Sequence, residues 1–343
     1  MAKNENRRPT IVDVAKAAGV APSTVSHALT GKGYVEVKTR EKILKVVKKL
    51  GYRPNPRAQG LRSGGAKTIA LISAMPLGVA GGASKLGFLM ELAASAAEEA
   101  LRRSLALVLV PPQPSGEARP PLEIDGALVV EPTADDPHIN WLLDGGLPVV
   151  SLGRCPGRED CPHVDLLSKD AAELLLNHLK AAGAEKIAVM LGDKPRTSYQ
   201  ETEEAYLSFC RDSGQRPILM RLDEGGGEMA GQAGAAELFQ KHPEVDGLLA
   251  LVDAFAVGAL KAAEAGGLAV PGQLKIATRY DGLRAKLAHP PLTSLDLHLD
   301  EVAALGVELL ARQMAEPGSP AVLWPSRPKL VVRQSTVNQP AQA

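Results

Sequence analysis

The chain has 343 residues with 39 Lys and Arg against 39 Asp and Glu, so its formal net charge is zero. This length predicts two or three domains, and the longest apolar runs, such as Leu105–Val110, are too short to cross a membrane. The charge is unevenly divided, since residues 1–67 contain 15 Lys and Arg but only four Asp and Glu. A small basic segment on an acidic body predicts a polyanionic partner for the basic segment alone.

The N-terminal residues carry charges but no apolar segment, so we expect no signal peptide and a cytoplasmic protein. Cys155, Cys161 and Cys210 are odd in number and match no metal-binding spacing. This favours reduced thiols and predicts neither a metal site nor a cofactor. A redox or metal role for Cys155 and Cys161, which share a Pro- and Gly-rich loop, is the alternative.

The basic segment predicts three short helices. The first follows Thr10, with Asp13 placed as in a capping box, and ends at Gly19. The second covers Pro22–Thr30 and the third follows Val37. The third has apolar residues at helical spacing, namely Ile43, Val46, Val47 and Leu50. Three helices that share a core, with a tight turn between the first two, predict a helix-turn-helix module.

The second predicted helix has two different faces. Val25, Ala28 and Leu29 form an apolar edge, and the other side carries a polar stripe at i, i+3, i+4 and i+7. The stripe consists of Ser23, Ser26, His27 and Thr30. Hydrogen-bonding side chains on one face can contact base edges in a major groove. An ordinary solvated helix face is the alternative.

This segment resembles the DNA-binding domain of the lactose-repressor (LacI) family at nearly fixed spacing. The matching runs are Thr10–Ala15, Ala18–Val20, Thr24–Ser26, Thr39–Ile43 and Leu50–Asn55. The resemblance implies that the second helix enters the major groove of double-stranded operator DNA. The DNA-binding residues that it implies are Thr10, Pro22, Ser23, Thr24, Ser26, His27, Thr30, Tyr34, Asn55, Ala58 and Leu61. Where the family usually has a Ser that caps this helix, the chain has Ala21.

Residues 55–66 contain a short segment that is too small to form a stable isolated helix. The resemblance implies a hinge that becomes helical on the operator, with Ala58 facing the minor groove and Leu61 wedged between base pairs. Because two hinges must pair, it also implies a homodimer on a pseudo-palindrome. A plain linker is the alternative. The expected domains are therefore a helix-turn-helix at 1–54, a hinge at 55–66 and an effector-binding body at 67–340.

In the body, short apolar runs alternate with helical patterns. The predicted strands are Ile69–Ser73, Ala106–Val110, Gly126–Val130, Pro148–Leu152, Lys186–Leu191, Pro217–Leu222, Gly247–Val252 and Leu274–Tyr280. The predicted helices include Leu86–Arg103, Lys169–Ala182, Gln200–Asp212 and Ala254–Ala265. This alternation predicts an α/β body of two doubly wound parallel-sheet subdomains, with a cleft at the carboxyl ends of the strands. The body resembles the periplasmic-binding-protein-like effector domain of the same family.

The resemblance implies an effector site formed in part by Asp165, Asp253 and Asp281, with Thr202 at the position of the family's ligand-clamping Arg. Two further polar positions of the family are occupied here by Val252 and Leu297. A sugar site needs several carboxylates or amides and an aromatic face. The cleft is therefore expected either to accept a less hydroxylated ligand or to be degenerate. The acids are equally compatible with strand-end caps.

These observations predict a DNA-binding transcriptional regulator, in particular a repressor, whose affinity for DNA is changed by a small molecule such as a sugar or another metabolite. A regulator with a degenerate cleft, controlled by its abundance or by a protein partner, is the first alternative. A solute-binding receptor or a sugar-processing enzyme is the second. The sequence shows no signal peptide for the former and no catalytic constellation for the latter.

Overall fold

The computed structural model describes residues 9–30, 34–50, 52, 65–76, 87–110, 122–318 and 321–337. The chain forms two compact units, Met1–Ala66 and Lys67–Ala343, called here the head and the body. None of the helices in the described ranges is long and apolar enough to span a membrane.

The head contains helices α1 (Ile11–Ala18), α2 (Pro22–Thr30) and α3 (Val37–Leu50). The predicted capping box is confirmed at the start of α1, where Thr10 and Asp13 satisfy each other's backbone N–H groups. Gly19 ends α1 in the left-handed conformation, with φ at 67°, which an L side chain rarely adopts. The turn to α2 is thus determined by local sequence.

A small apolar core joins the three helices of the head. Its fully buried members are Val14, Ala15, Ala18, Val25, Ala28 and Ile43. Leu29, Val46 and Val47 are partly buried against this cluster, as the helical spacing predicts. Leu50 was expected in the same core but lies exposed, because it is the last residue of α3 and extends beyond the contacting helices.

The body consists of two six-stranded sheets, in the order β11-β5-β4-β3-β1-β2 for the first sheet and β12-β10-β9-β8-β6-β7 for the second. Neighbouring strands are parallel except for β12, which runs antiparallel to β10. The first sheet comprises β1 (Thr68–Ser73), β2 (Ala106–Val110), β3 (Gly126–Val130), β4 (Val149–Leu152), β5 (His163–Val164) and β11 (Val322–Leu323). The second comprises β6 (Ile187–Gly192), β7 (Leu219–Leu222), β8 (Gly247–Ala250), β9 (Lys275–Tyr280), β10 (Thr293–Asp296) and β12 (Lys329–Val331).

Helices cover the two sheets. They are α4 (Phe88–Arg102), α5 (Pro137–Asp144), α6 (Ser168–Ala181), α7 (Thr197–Ser213), α8 (Gly227–Lys241), α9 (Asp253–Ala265), α10 (Leu283–Leu287) and α11 (Leu299–Ala315), with a 3₁₀ turn at Glu224–Gly226. The inner strands β3 and β6 are buried along their whole length, as expected for parallel strands with helices on both faces. The eight predicted strands are all present, with ends that shift by up to two residues.

The chain crosses between the sheets after β5, β10 and β11, so that each sheet contains distant parts of the sequence. Helix α11 follows β10 of the second sheet but packs against β3 and β4 of the first. This exchange places the carboxyl ends of both sets of parallel strands around one space, which we call the cleft. Strands β5, β11 and β12 are two or three residues long, too short for an apolar pattern to reveal them.

Candidate functional site

The first candidate site is the polar face of α2. Pro22, Ser23 and His27 are exposed there, whereas Val25 and Ala28 on the opposite side are buried in the core of the head. Anchoring of the apolar edge therefore fixes the direction in which the polar side chains project. A rigid helix that presents hydrogen-bonding side chains in this way fits the geometry of major-groove contact.

The other predicted contact residues of the head have different environments. Thr24 and Ser26 are partly buried, and Tyr34 is 95% exposed. The Thr10 hydroxyl donates to the Asp13 carboxylate at 2.7 Å within the capping box, so its first role is structural. The side chain of Thr30, and Asn55, Ala58 and Leu61 entirely, lie outside the described residues.

Helix α3 adds positive charge to the head. Its exposed lysines are Lys42, Lys45, Lys48 and Lys49. Such side chains neutralise phosphates without discriminating between bases, and their contribution to binding falls as the salt concentration rises. The head therefore combines a polar face suited to base contacts with a basic surface suited to the DNA backbone.

The second candidate site is the cleft of the body. Its apolar lining comprises Met75, Phe88, Leu251, Val252 and Leu297. Its polar lining comprises Glu131, Ser198, Tyr199, Asp253, Arg279 and Tyr280. The cavity volume is only about 50 Å³, whereas pockets for drug-sized ligands span roughly 300–1,000 Å³. A volume of about 50 Å³ corresponds to a few water molecules.

Arg196 lies between β6 and α7 and is 1% exposed. Its Nε and Nη2 atoms donate to the two carboxylate oxygens of Glu224 at 2.9 and 2.8 Å, and Glu224 is fully buried. The same guanidinium donates to the backbone carbonyls of Glu131 and, at 3.0 Å, Ala74, which both follow strands of the first sheet. Burial acts to lower the pKa of Arg196, but pairing with Glu224 outweighs it and raises the pKa. Arg196 is thus a charged link between the subdomains.

Glu131 forms the second link. This residue follows β3 of the first sheet, and both of its carboxylate oxygens accept hydrogen bonds from residues of the second subdomain. Arg279 Nη1 donates to Oε1 at 2.8 Å, and Ser198 Oγ donates to Oε2 at 2.6 Å. A backbone bridge between Thr133 and Arg196 lies beside these contacts. The two subdomains are therefore held together by ionic and backbone bonds across the cleft.

The four residues predicted to contact an effector are not gathered around this cavity. Thr202 is buried and donates to the Ser198 carbonyl one helical turn earlier, at 2.8 Å. Asp165 accepts from Arg154 at 2.8 Å and from the Leu167 N–H at 2.8 Å, which is the strand-end capping role considered as the alternative. Neither Thr202 nor Asp165 is part of the cavity lining.

Asp253 does line the cleft, but Arg284 Nη1 donates to its carboxylate at 2.9 Å. Burial raises the pKa of Asp253, and the charge of Arg284 opposes that rise. Asp281 instead lines an adjoining cavity of about 400 Å³, which shares Tyr280 and Leu297 with the first. There Ser294 Oγ donates to its carboxylate at 2.6 Å, and Arg333 contacts it at 2.5 Å. Burial opposes the ionisation of Asp281, but Arg333 outweighs it, so that the pKa is lowered.

Sequence reasoning missed Glu131, Arg196 and Arg279, the residues that dominate the cleft. The available signal for Arg279 is its place near the end of the otherwise apolar strand β9, where a charged side chain needs a partner. Glu131 and Arg196 lie in connecting segments, and nothing in the local pattern indicates that they become buried. Among the described residues, no group of three potential metal ligands is present.

Comparison with known proteins matches two parts of the chain to known families. The model of bacterial regulatory proteins of the lacI family matches residues 10–55, and that of the periplasmic binding protein-like domain matches residues 176–336. The chain thus combines a segment of the lacI family of bacterial regulatory proteins with a periplasmic binding protein-like domain. It is 28% identical to the transcriptional regulator CelR of Thermobifida fusca, over 91% of this chain and 94% of that protein. It is also 28% identical to the ribose operon repressor of Halalkalibacterium halodurans, over 95% and 97% of the two chains.

Solved structures of this family have the same fold. A CelR–cellobiose complex is 25% identical and superimposes with a TM-score of 0.70, covering 96% of this chain and all of that one. A lac repressor dimer bound to operator and an anti-inducer is 21% identical, with a TM-score of 0.77 over 97% of this chain and all of that one, and it shows the fold alone. The named relatives are transcriptional regulators rather than enzymes.

Proposed function

We propose that this LacI-family chain is a transcriptional repressor that binds a pseudo-palindromic operator as a homodimer. Residues 1–54 contact the DNA, residues 55–66 form the paired hinge, and residues 67–340 bind a small-molecule effector and dimerise. The observation that carries the proposal is the division of α2, whose apolar side is buried while Ser23 and His27 project from the other side. The lysines of α3 supply backbone contacts.

Two of the solved relatives support the partners in this proposal. One is a dimer bound to operator DNA and the other holds cellobiose. A ligand that favours one arrangement of the subdomains changes the geometry of the paired hinges and hence the affinity for DNA. We place the protein in the cytoplasm, where it reaches chromosomal DNA. No cofactor or catalytic step is part of this function.

The experiment is selection of the preferred operator from random duplex DNA with the full-length protein, followed by the same selection with His27→Ala. We expect a change in the preferred bases within each half-site, because base-edge contacts carry sequence information. Lys48→Ala is the matched control, since loss of a phosphate contact lowers affinity for every sequence to a similar extent. An unchanged preference in His27→Ala would remove this residue from the set of base contacts.

A second candidate is a regulator whose cleft binds no ligand and which is controlled by its abundance or a protein partner. The cavity of about 50 Å³ and the internal pairing of Asp165, Asp253 and Asp281 favour it. A thermal-shift screen of metabolites separates the candidates. A saturable rise in Tm supports a cleft that binds a ligand. Asp281→Ala tests whether the adjoining cavity of about 400 Å³ takes part. A rise in Tm that survives this substitution would place the ligand elsewhere.

A further inference from the structure

The Glu131 carboxylate lies buried in the cleft, and both of its oxygens accept hydrogen bonds there, as the carboxylate of a bound ligand would. Its side chain is 4% exposed, and each carboxylate oxygen accepts a hydrogen bond from the opposite subdomain, from Arg279 at 2.8 Å and from Ser198 at 2.6 Å. Its backbone has a φ of 48°, a left-handed conformation that is costly for a residue other than glycine. Such strain persists where surrounding contacts enforce it and is concentrated at functional sites.

The other charges around the cleft are already paired with one another. Arg196 is committed to Glu224 and to two backbone carbonyls, and Arg284 is committed to Asp253. Arg279 is the exception, because its Nε atom is buried and has no hydrogen-bond partner among the described residues. Its Nη2 atom has only a long contact of 3.3 Å to Ser168 Oγ. Arg279 therefore retains unused donor capacity while lining the cavity.

This arrangement restricts which ligand can take the place of Glu131. Arg279 is 7% exposed, and a buried guanidinium without a counter-charge is strongly destabilising. A neutral sugar that displaced Glu131 would leave Arg279 in that state. A carboxylate would preserve the ion pair, because one of its oxygens can accept from Arg279 and the other from Ser198, as those of Glu131 do. The apolar side chains of Met75, Phe88 and Leu297 would contact the rest of the molecule.

We propose that the Glu131 carboxylate occupies the binding position of the effector carboxylate when no effector is bound, and that the effector is a small organic monocarboxylate with an apolar body. On binding, the effector displaces Glu131 from Arg279 and Ser198. This inference rests on the proposed regulatory function and specifies the ligand class of its cleft. Release of Glu131 to solvent also makes room for the ligand, because the existing cavity of about 50 Å³ is too small without that movement.

The test is chemical rescue of full-length Glu131→Ala, measured by thermal shift. Loss of the carboxylate leaves Arg279 unpaired, and we expect the Tm of the body to fall by roughly 5–10 °C. Propionate and benzoate should restore at least half of that loss in a saturable manner. Propionamide, benzamide, cellobiose and sodium chloride at equal ionic strength should not. Adding Arg279→Met to Glu131→Ala should abolish the rescue.

Glu203→Ala is the matched control, since Glu203 pairs with Arg221 on the surface of the body, away from the cleft lining. Carboxylates should not stabilise this variant beyond their effect on the wild type. The proposal is wrong if the amides or cellobiose rescue Glu131→Ala as well as the carboxylates do, or if carboxylates stabilise Glu203→Ala equally. It is also wrong if Arg279→Met leaves the rescue intact.

Glu131→Gln keeps the test decisive if Glu131→Ala does not fold. The amide fills the same space but pairs poorly with Arg279, so benzoate should bind this variant more tightly than the wild type, and equal or weaker binding overturns the proposal. Operator binding of the wild type is measured in parallel. If the wild type binds its operator normally but no carboxylate changes its Tm or its operator affinity, this inference alone is wrong. If the wild type does not bind DNA, the proposed regulatory function is wrong.

Discussion

The head and the cleft use polar side chains in opposite ways. In the head, burial of Val25, Ala28 and Ile43 leaves Ser23 and His27 exposed on α2. In the cleft, the charged side chains are paired with one another, although Arg279 Nε has no partner among the described residues, and the cavity that remains is about 50 Å³. A polar group that faces water is available to a partner at little cost, whereas a buried one must first give up an internal partner. The polar side chains of α2 are thus available to a partner, whereas the ion pairs of the cleft must break before its charged groups can bind a ligand.

The largest effect is expected from Arg196→Met. This change leaves Glu224 fully buried without its counter-charge, so unfolding free energy should fall by about 3–5 kcal/mol. Chemical denaturation of the body measures it. Arg221→Met is the matched control, because the Arg221–Glu203 pair is on the surface and such pairs contribute about 0–1 kcal/mol. Equal losses of unfolding free energy in the two variants would show that the buried Arg196–Glu224 pair stabilises the body no more than a surface pair does.

Ile43→Ala should cause a smaller loss of unfolding free energy, and only in the head. Ile43 is fully buried in the core of the head, and its truncation should cost about 2–5 kcal/mol. Because the head has a small core, operator binding should be lost while the thermal transition of the body is unchanged. Leu44→Ala, at a neighbouring position that is 46% exposed, should have little effect. Destabilisation of the body by Ile43→Ala would contradict the independence of the two units.

The hinge prediction gives a smaller effect still. Leu61→Ala should weaken specific operator binding by about tenfold, because the wedge is used only when the DNA is kinked. Binding to non-specific duplex should be nearly unchanged, since it depends on phosphate contacts. Fluorescence anisotropy with both duplexes measures the two affinities. An equal loss on both duplexes would rule out a wedging role and leave a plain linker between head and body.

The smallest effect concerns acid stability. The pKa of Asp281 is lowered in the folded protein because Arg333 outweighs burial. Its contribution to stability is therefore present above the pKa of the unfolded chain and is lost as the pH falls through the lower, folded value. Asp281→Asn should make the decline of Tm below about pH 5 shallower. A decline as steep as that of the wild type would show that the Arg333 pair does not stabilise the body.

The sequence predicted the elements whose signals are local. The capping box at Thr10, the stop at Gly19 and the two faces of α2 all follow from spacing within a few residues. The buried strands of the body were predicted for a related reason, because parallel strands covered on both faces are continuous apolar runs. These features depend on periodicity and backbone preference, which are properties of short segments.

Only the tertiary structure decided how the cleft is occupied. Glu131 and Arg196 lie 65 residues apart, and Glu131 and Arg279 lie 148 apart, yet they meet because the chain crosses repeatedly between the sheets. The sequence indicated acids at the strand ends but not their partners, since Arg154 lies 11 residues from Asp165, and Arg284 lies 31 residues from Asp253. Whether a polar residue is free to bind a ligand depends on its neighbours in space, and local sequence does not encode those neighbours.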